Sequence, residues 1–358
     1  MPRHPLNPYY AWIAAGIALV ILYGSFYPFG FFLHHDPRGP LGVLIESGFH
    51  SSRDDVVANI LLYIPLGFFA ACALEKRVIA AVFEAILAGF ALSLFVEVVQ
   101  YYDIGRFQEL TDICSNTLGA LLGALAAGVA RRRVFSVYLA LILVCWFGSR
   151  CYPASQPASS IPALDLYRYL AAWLAVGLMI ETLCGAARSR AVLPLFLAGS
   201  LLLRAFAVYT EPAEIAGGAA AVLLWSGLLW RVRARATIAA ALFVALVILL
   251  ALAPFHFSAI PHAFSWVPFR SFLETPTGTA IRVFFEKAFL YGGMIWLLVR
   301  AGLSIGTAAA LGATLVFCLR LVQVYLPGRS AEITDAILLL MLAAMMKLTT
   351  LASLLPSE

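Results

Sequence analysis

The sequence predicts an all-α, polytopic membrane protein with about twelve transmembrane helices, arranged as three four-helix parallel repeats. Three observations lead there. Hydrophobic residues make up 63% of the 358, charged residues only 12%, and the mean hydropathy is +0.92, well outside the range of soluble domains. Apolar runs of about 17–25 residues, the length a bilayer core demands, recur along the whole chain. A polar string also returns: EVVQYYDIGRFQELTD at 97–112 and RLVQVYLPGRSAEITD at 320–335 agree, without a gap, at eight of sixteen positions.

The elements follow in order. The first apolar core, 11–29, is long, and Ser25-Phe26-Tyr27-Pro28-Phe29 offers no small-x-small cleavage site, so a helix is expected to remain there. The second, 56–75, opens at Asp55 and carries Asn59, Pro65 and Gly67. The third, 79–102, ends on Glu97 and Gln100, and the fourth, 113–130, begins after Asp112 and carries Asn116. These four make a first unit, 1–133. A more divergent second unit, 134–235, holds cores at 134–149, 166–185, 191–209 and 214–231, the shortest being 134–149. Asp165 and Gly177 stand there at the separation of Asp55 and Gly67, and Arg204 precedes Tyr209 as Glu97 precedes Tyr102. The third unit, 236–358, holds 236–254, 283–300, 303–325 and 333–352. Its Leu290-Tyr291 aligns with Leu62-Tyr63, which sets Lys287 opposite Asn59, and its Arg320 stands opposite Glu97. Four crossings per unit is an even number, so every copy enters from the same side.

The repeat matches fall on polar residues: Gln100/Gln323, Arg106/Arg329, Glu109/Glu332, Thr111/Thr334 and Asp112/Asp335. Polar residues are expensive within a bilayer, so their recurrence points to a shared structure.

Loop charges set the orientation. With the N-terminus cytoplasmic, Arg3, Lys76, Arg77, Arg131–Arg133, Arg188, Arg190, Arg231, Arg233, Arg235 and Arg300 collect on the inner side. Asp36, Asp55, Asp103, Glu109, Asp112, Asp165, Glu214, Glu332 and Asp335 collect on the outer side. The expected protein is a multi-pass cell-membrane protein with both termini cytoplasmic. The net charge of +5 reflects this bias and gives no ground for a nucleic-acid partner. Six cysteines and six histidines show no metal-ligand spacing and no disulfide framework.

The first unit concentrates polar side chains at one end. Its second helix begins outside, its third ends outside and its fourth begins outside, so Asp55, Asn59, Glu97, Gln100, Arg106, Asp112 and Asn116 are expected at one depth. Asp55/Asn59 and Asp112/Asn116 are four apart and Glu97/Gln100 three apart, spacings that share a helix face. Glu97 is expected to pair with Arg106, or with Arg204 or Arg320. Gly119 and Gly123 mark a close helix-packing face.

These residues resemble the VanZ-like family, named for a membrane protein associated with glycopeptide antibiotic resistance. The resemblance rests on D-x3-N-x5-P-x-G (Asp55, Asn59, Pro65, Gly67), E-x2-Q (Glu97, Gln100), Arg106, and D-x3-N-x2-G-x3-G (Asp112, Asn116, Gly119, Gly123), together covering 55–125. A degenerate copy spans 264–345, where FSWVPFR at 264–270 resembles the family's N-terminal loop while Lys287 and Arg320 replace the Asn and Glu. The resemblance implies an envelope membrane protein.

Three carboxylates with two Asn and a Gln can coordinate a hard cation or accept hydrogen bonds from a sugar, peptide or ammonium headgroup. Arg106 can meet a phosphate or carboxylate. No Ser/His/Asp or Cys/His spacing, P-loop or dinucleotide fingerprint occurs, so no catalytic residue and no cofactor is assigned. The expected function is binding of a membrane lipid, a lipid-linked cell-wall precursor or a glycopeptide-like ligand in an outward-facing pocket. The alternative is a transporter or flippase of a polar or anionic headgroup, with Arg204, Lys287 and Arg320 as a cationic track, and a third reading is an enzyme acting on a lipid-linked substrate, since the carboxylates can do acid–base work.

Overall fold

A computed structural model of the chain describes residues 6–33, 36–48, 51–74, 78–104, 106–130, 136–151, 162–207 and 211–354. Among these the chain is helical, with a few isolated bridges and no strand. It divides into two compact units, Met1–Phe135 with Leu348–Glu358, and Ser136–Lys347.

The first unit contains α1 (Pro8–Phe26), the short α2 (Gly39–Ser47), α3 (Arg53–Ala73), α4 (Val78–Gln100) and α5 (Leu110–Ala130). Asn7 caps α1 by accepting the Tyr9 and Tyr10 backbone N–H groups at 3.2 and 3.4 Å. Ser52 caps α3, its Oγ accepting the Asp55 N–H at 3.2 Å, and Asp54 and Asp55 sit in the first turn where the helix dipole favours anions. Pro65 lies inside α3, which continues through it. The core of the unit is a backbone-to-backbone contact of α3 with α5. A β-carbon on Gly67 would overlap the Ala120 carbonyl, one on Gly119 the Ile60 carbonyl, and one on Gly123 the Ile64 carbonyl. The glycines thus let two helices approach until main chain meets main chain, as expected of the small-x3-small pattern. Alanines extend the seam, with Ala71, Ala85, Ala124 and Ala127 buried together.

The second unit contains α6 (Val137–Cys151), α7 (Pro162–Cys184), α8 (Ala186–Ala207), α9 (Pro212–Gly227), α10 (Arg235–Leu252), the single-turn α11 (Arg270–Leu273), α12 (Thr277–Arg300), α13 (Ile305–Val322) and α14 (Thr334–Ser353). The stretches before and after residue 235 share one core, in which Trp173, Trp225, Phe243 and Phe289 are fully buried. α7 is the most enclosed helix, with an unbroken buried run at 171–180. Two acids within the helices are paired, Glu181 with Arg235 at 2.6 Å and Glu286 with Arg168 at 2.8 Å.

Nine helices among the described residues are long and apolar enough to cross a membrane. They are α1, α3, α4, α5, α7, α9 extended to Arg231, α10, α13 extended to Tyr325, and α14. Length and composition thus support nine of the twelve expected spans among the described residues. The other three expected spans correspond to α6, α8 and α12. α6 has only 15 residues. α8 carries Arg188, Arg190 and Arg204, and α12 carries Arg282, Glu286, Lys287 and Arg300, which lower their mean hydropathy.

Candidate functional site

Three helix ends build the site. α3 starts, α4 finishes and α5 starts at one end of the first unit, bringing Asp55 and Asn59 toward Glu97 and Asp112. Asp112 is the hub. Its Oδ1 accepts from Ser51 Oγ at 3.0 Å, Asn59 hydrogen-bonds it, and the carboxylates of Glu109 and Asp55 are close enough to repel it. Ser51 Oγ also contacts Glu109 Oε2. A serine hydroxyl has one proton to give, so it cannot donate to both carboxylates at once.

Glu97 lies beneath, 1% exposed. Its Oε2 accepts the Glu109 backbone N–H at 2.9 Å, and its carboxylate feels Asp112 and Glu109. Gln108 folds over the end of α4 and donates from Nε2 to the Glu97 carbonyl at 2.5 Å. A turn deeper, Asn116 Nδ2 donates to Ser93 Oγ at 2.9 Å while its Oδ1 accepts no hydrogen bond. The buried Tyr63 hydroxyl feels both Glu97 and Asp112 and donates to neither. The result is a half-buried rim of Ser51, Asp55, Asn59, Glu109 and Asp112 above a buried glutamate.

Gln100 and Arg106 lie apart from this cluster in their bonding. Gln100 Nε2 donates to the Ser25 carbonyl at 3.1 Å, and Arg106 Nη2 donates to the carbonyls of Gly24 and Tyr27 at 3.3 and 3.0 Å. Both hold the C-terminal end of α1, where carbonyls are exposed and a cation suits the dipole. The expected Glu97–Arg106 pair is therefore corrected: the guanidinium is spent on α1, and among the described residues Glu97 makes no ion pair. The same clamp recurs in the second unit. Gln323 Nε2 donates to the Ala251 carbonyl at 2.6 Å, and Arg329 donates to the carbonyls of Leu250 and Ala253. Phe29 and Phe255, which follow the clamped ends, take left-handed conformations at φ 66° and 64°.

Two other acids near helix starts, Asp335 on α14 and Glu214 on α9, meet different neighbours from those of Asp112. Asp335, fully buried at the start of α14, accepts from Lys287 Nζ at 2.7 Å and from the Tyr291 hydroxyl at 2.5 Å, and pairs with Arg320. Glu214, 1% exposed in the first turn of α9, pairs with Arg204 and with Arg150 at 2.5 Å. The Arg150 guanidinium also stacks over Tyr169, 4.4 Å from the ring centre. Arg320 and Arg204 occupy the position aligned with Glu97. Asp335 and Glu214 therefore each face an arginine, whereas Asp112 faces the acid Glu97.

Four of the seven expected site residues, Asp55, Asn59, Glu97 and Asp112, come together. Asn116 sits a turn below, and Gln100 and Arg106 serve the neighbouring clamp. Ser51, Tyr63, Ser93 and Glu109 were missed. Glu109 had a signal, its identity with Glu332. Ser51 had a weaker one, since Ser271, just before α12, contacts Glu332 through both its backbone N–H and its hydroxyl. Among the described residues no three Asp, Glu, His or Cys side chains converge to hold a metal ion.

Residues 14–131 match the family model VanZ/LLP1, which covers α3, α4 and α5 and therefore the whole polar cluster. No curated protein and no solved structure matches the chain.

The two kinds of carboxylate environment respond oppositely to neutralisation. Asp335→Asn strands two buried cations, and breaking such a pair typically costs about 3–5 kcal/mol. Asp112→Asn removes one of several mutually repelling acids and is expected to leave stability unchanged or raised. Thermal unfolding of the two purified variants against the parent checks this; a comparable loss in both would show that Asp112 is held by an ion pair of the ordinary kind.

Proposed function

We propose that the VanZ/LLP1 region of this membrane protein is a binding module. Its pocket, rimmed by Ser51, Asp55, Asn59, Glu109 and Asp112 with Glu97 below, takes a lipid or lipid-linked cell-wall component from the outer side of the cell membrane. The observation that carries the reading is that Glu97, Glu109 and Asp112, drawn together where α4 ends and α5 begins, make no ion pair among the described residues. Such a cluster is hard to justify as packing, because desolvating a charge without a partner costs several kcal/mol. Gln100, Arg106 and Asn116 support the walls of the pocket, the first two by fixing α1.

Twelve crossings in three parallel repeats, with both termini cytoplasmic, complete the proposal. The recurring Gln–Arg clamp and the recurring acid at the fourth helix support the repeats, and the basic inner loops support the orientation. The three expected crossings with charged or short helices are then α6, α8 and α12, of whose charges Arg150, Arg204, Glu286 and Lys287 are paired inside the protein. The alternative of a transporter or flippase needs a cationic track through Arg204, Lys287 and Arg320. Each of these already holds a carboxylate, which favours the binder. A glycopeptide-like ligand and a part in antibiotic resistance belong to the same reading as consequences of occupancy.

Native mass spectrometry of the purified protein is expected to find co-purified lipid or lipid-linked material, with that mass lost in Glu97→Gln and Asp112→Asn. Equal retention by both variants would remove the site from the account. A cysteine placed at Phe107 in a chain stripped of its native cysteines is expected to label in intact cells; labelling only after permeabilisation would reverse the orientation.

A further inference from the structure

The repeats supply an internal control for what the first pocket lacks. In the third copy the acid of the fourth helix is satisfied by an arginine at the Glu97 position and by the Lys287 ammonium, 2.7 Å from Asp335 Oδ1. Lys287 stands where the first copy has Asn59, a shorter side chain without charge. Tyr291 donates to Asp335 at 2.5 Å, whereas the aligned Tyr63 donates to neither acid. The first copy thus keeps the carboxylate, has neither cation at the aligned positions, and turns its tyrosine hydroxyl toward Ser93 and away from the acids.

What is missing has a definite chemistry. Two helix N-termini face the acids, but a helix dipole contributes only about 0.3–1 kcal/mol, up to about 2 in a partly buried setting. That falls short of the several kcal/mol that buried carboxylates require. Ser51 offers one proton to two acids. The unused acceptor Asn116 Oδ1, on a residue 5% exposed, marks the floor one turn below Asp112. The described carboxylates do not form a metal-ligand group, so the fit is to a donor-bearing organic cation. A primary ammonium has three N–H donors, no acceptor and one positive charge, and Lys287 places that same group on the aligned carboxylate.

We infer that Glu97 and Asp112 receive the primary ammonium group of the bound molecule, supplied by an amine-bearing phospholipid headgroup or by a free amine on a lipid-linked cell-wall component. This rests on the reading of the cluster as a binding pocket and names the ligand chemistry that the pocket selects. A quaternary ammonium carries the charge without N–H donors, and a glycerol headgroup carries neither, which makes both natural controls.

The experiment uses the full chain in detergent, equilibrated with equal amounts of phosphatidylethanolamine, phosphatidylcholine and phosphatidylglycerol and read by native mass spectrometry. The ethanolamine lipid is expected to be retained over the other two by about tenfold or more, equivalent to about 1.4 kcal/mol. That preference is expected to vanish in Glu97→Gln and separately in Asp112→Asn, so that neither variant's folding alone decides the result. Displacement of the ethanolamine lipid by a lipid-linked precursor bearing a free lysine amine, but not by its N-acetylated form, would assign the ammonium to the cell-wall component; absence of displacement would assign it to the phospholipid. Equal retention of all three lipids, abolished by both variants, would overturn the ammonium assignment and leave the pocket standing. Equal retention that neither variant changes would overturn both.

Discussion

A carboxylate placed at the start of a membrane helix must be given a counter-charge, and the polar architecture of this protein follows from how that is done. Asp335 and Glu214 are given theirs by the chain itself, through Lys287 and Arg320 in one case and Arg204 and Arg150 in the other. In both arrangements the carboxylate is met by two cations of the chain. Asp112 is not met in this way. Its neighbours among the described residues are Ser51, Asn59 and further acids, and the proposed ligand is what would supply its compensation. Asp335 and Glu214 are paired within the chain; Asp112 is not, among the described residues.

Helix packing sets the geometry of the Asp112 cluster. α3 and α5 touch through Gly67, Gly119 and Gly123 with no side chain between them, which brings Asn59 within hydrogen-bonding reach of Asp112. α4 is held at the same height because Gln108 and the Glu109 N–H fold back onto Glu97. α1 is fixed by Gln100 and Arg106. Rigid support of this kind is what a pocket needs if it is to select a headgroup by charge and hydrogen-bond geometry.

Much of this was legible in the sequence, and the gaps have physical causes. The helices, the glycine face and the convergence of Asp55, Asn59, Glu97 and Asp112 follow from apolar length and from i, i+3 and i, i+4 spacing. Arg106 misled because proximity in sequence to Glu97 says nothing of where a long guanidinium reaches, and the carbonyls at the end of α1 compete for it. Gln100 misled for the same reason, although its recurrence as Gln323 beside an otherwise different pocket marks it as structural. Ser51 and Tyr63 were silent because a serine before a helix reads as a turn and a tyrosine in an apolar run reads as core. Length and composition support fewer than the twelve expected spans because α8 and α12 carry charges that only the fold reveals to be engaged in part within the protein, as with Glu286 on Arg168 and Lys287 on Asp335.

The central claim is that the Asp112 cluster lacks, among the described residues, the cation that Asp335 and Glu214 each have. Substituting Glu97→Arg supplies it at the aligned position, beside Asp112. The melting temperature of that variant in ligand-free detergent is the direct measurement. An equal or higher value than the parent's is the result the account predicts, since the substitution rebuilds the pair seen between Arg320 and Asp335. A fall of the size expected for an unpaired buried charge, about 3–5 kcal/mol, would contradict it and would mean that the carboxylates of the first copy are already compensated within the chain.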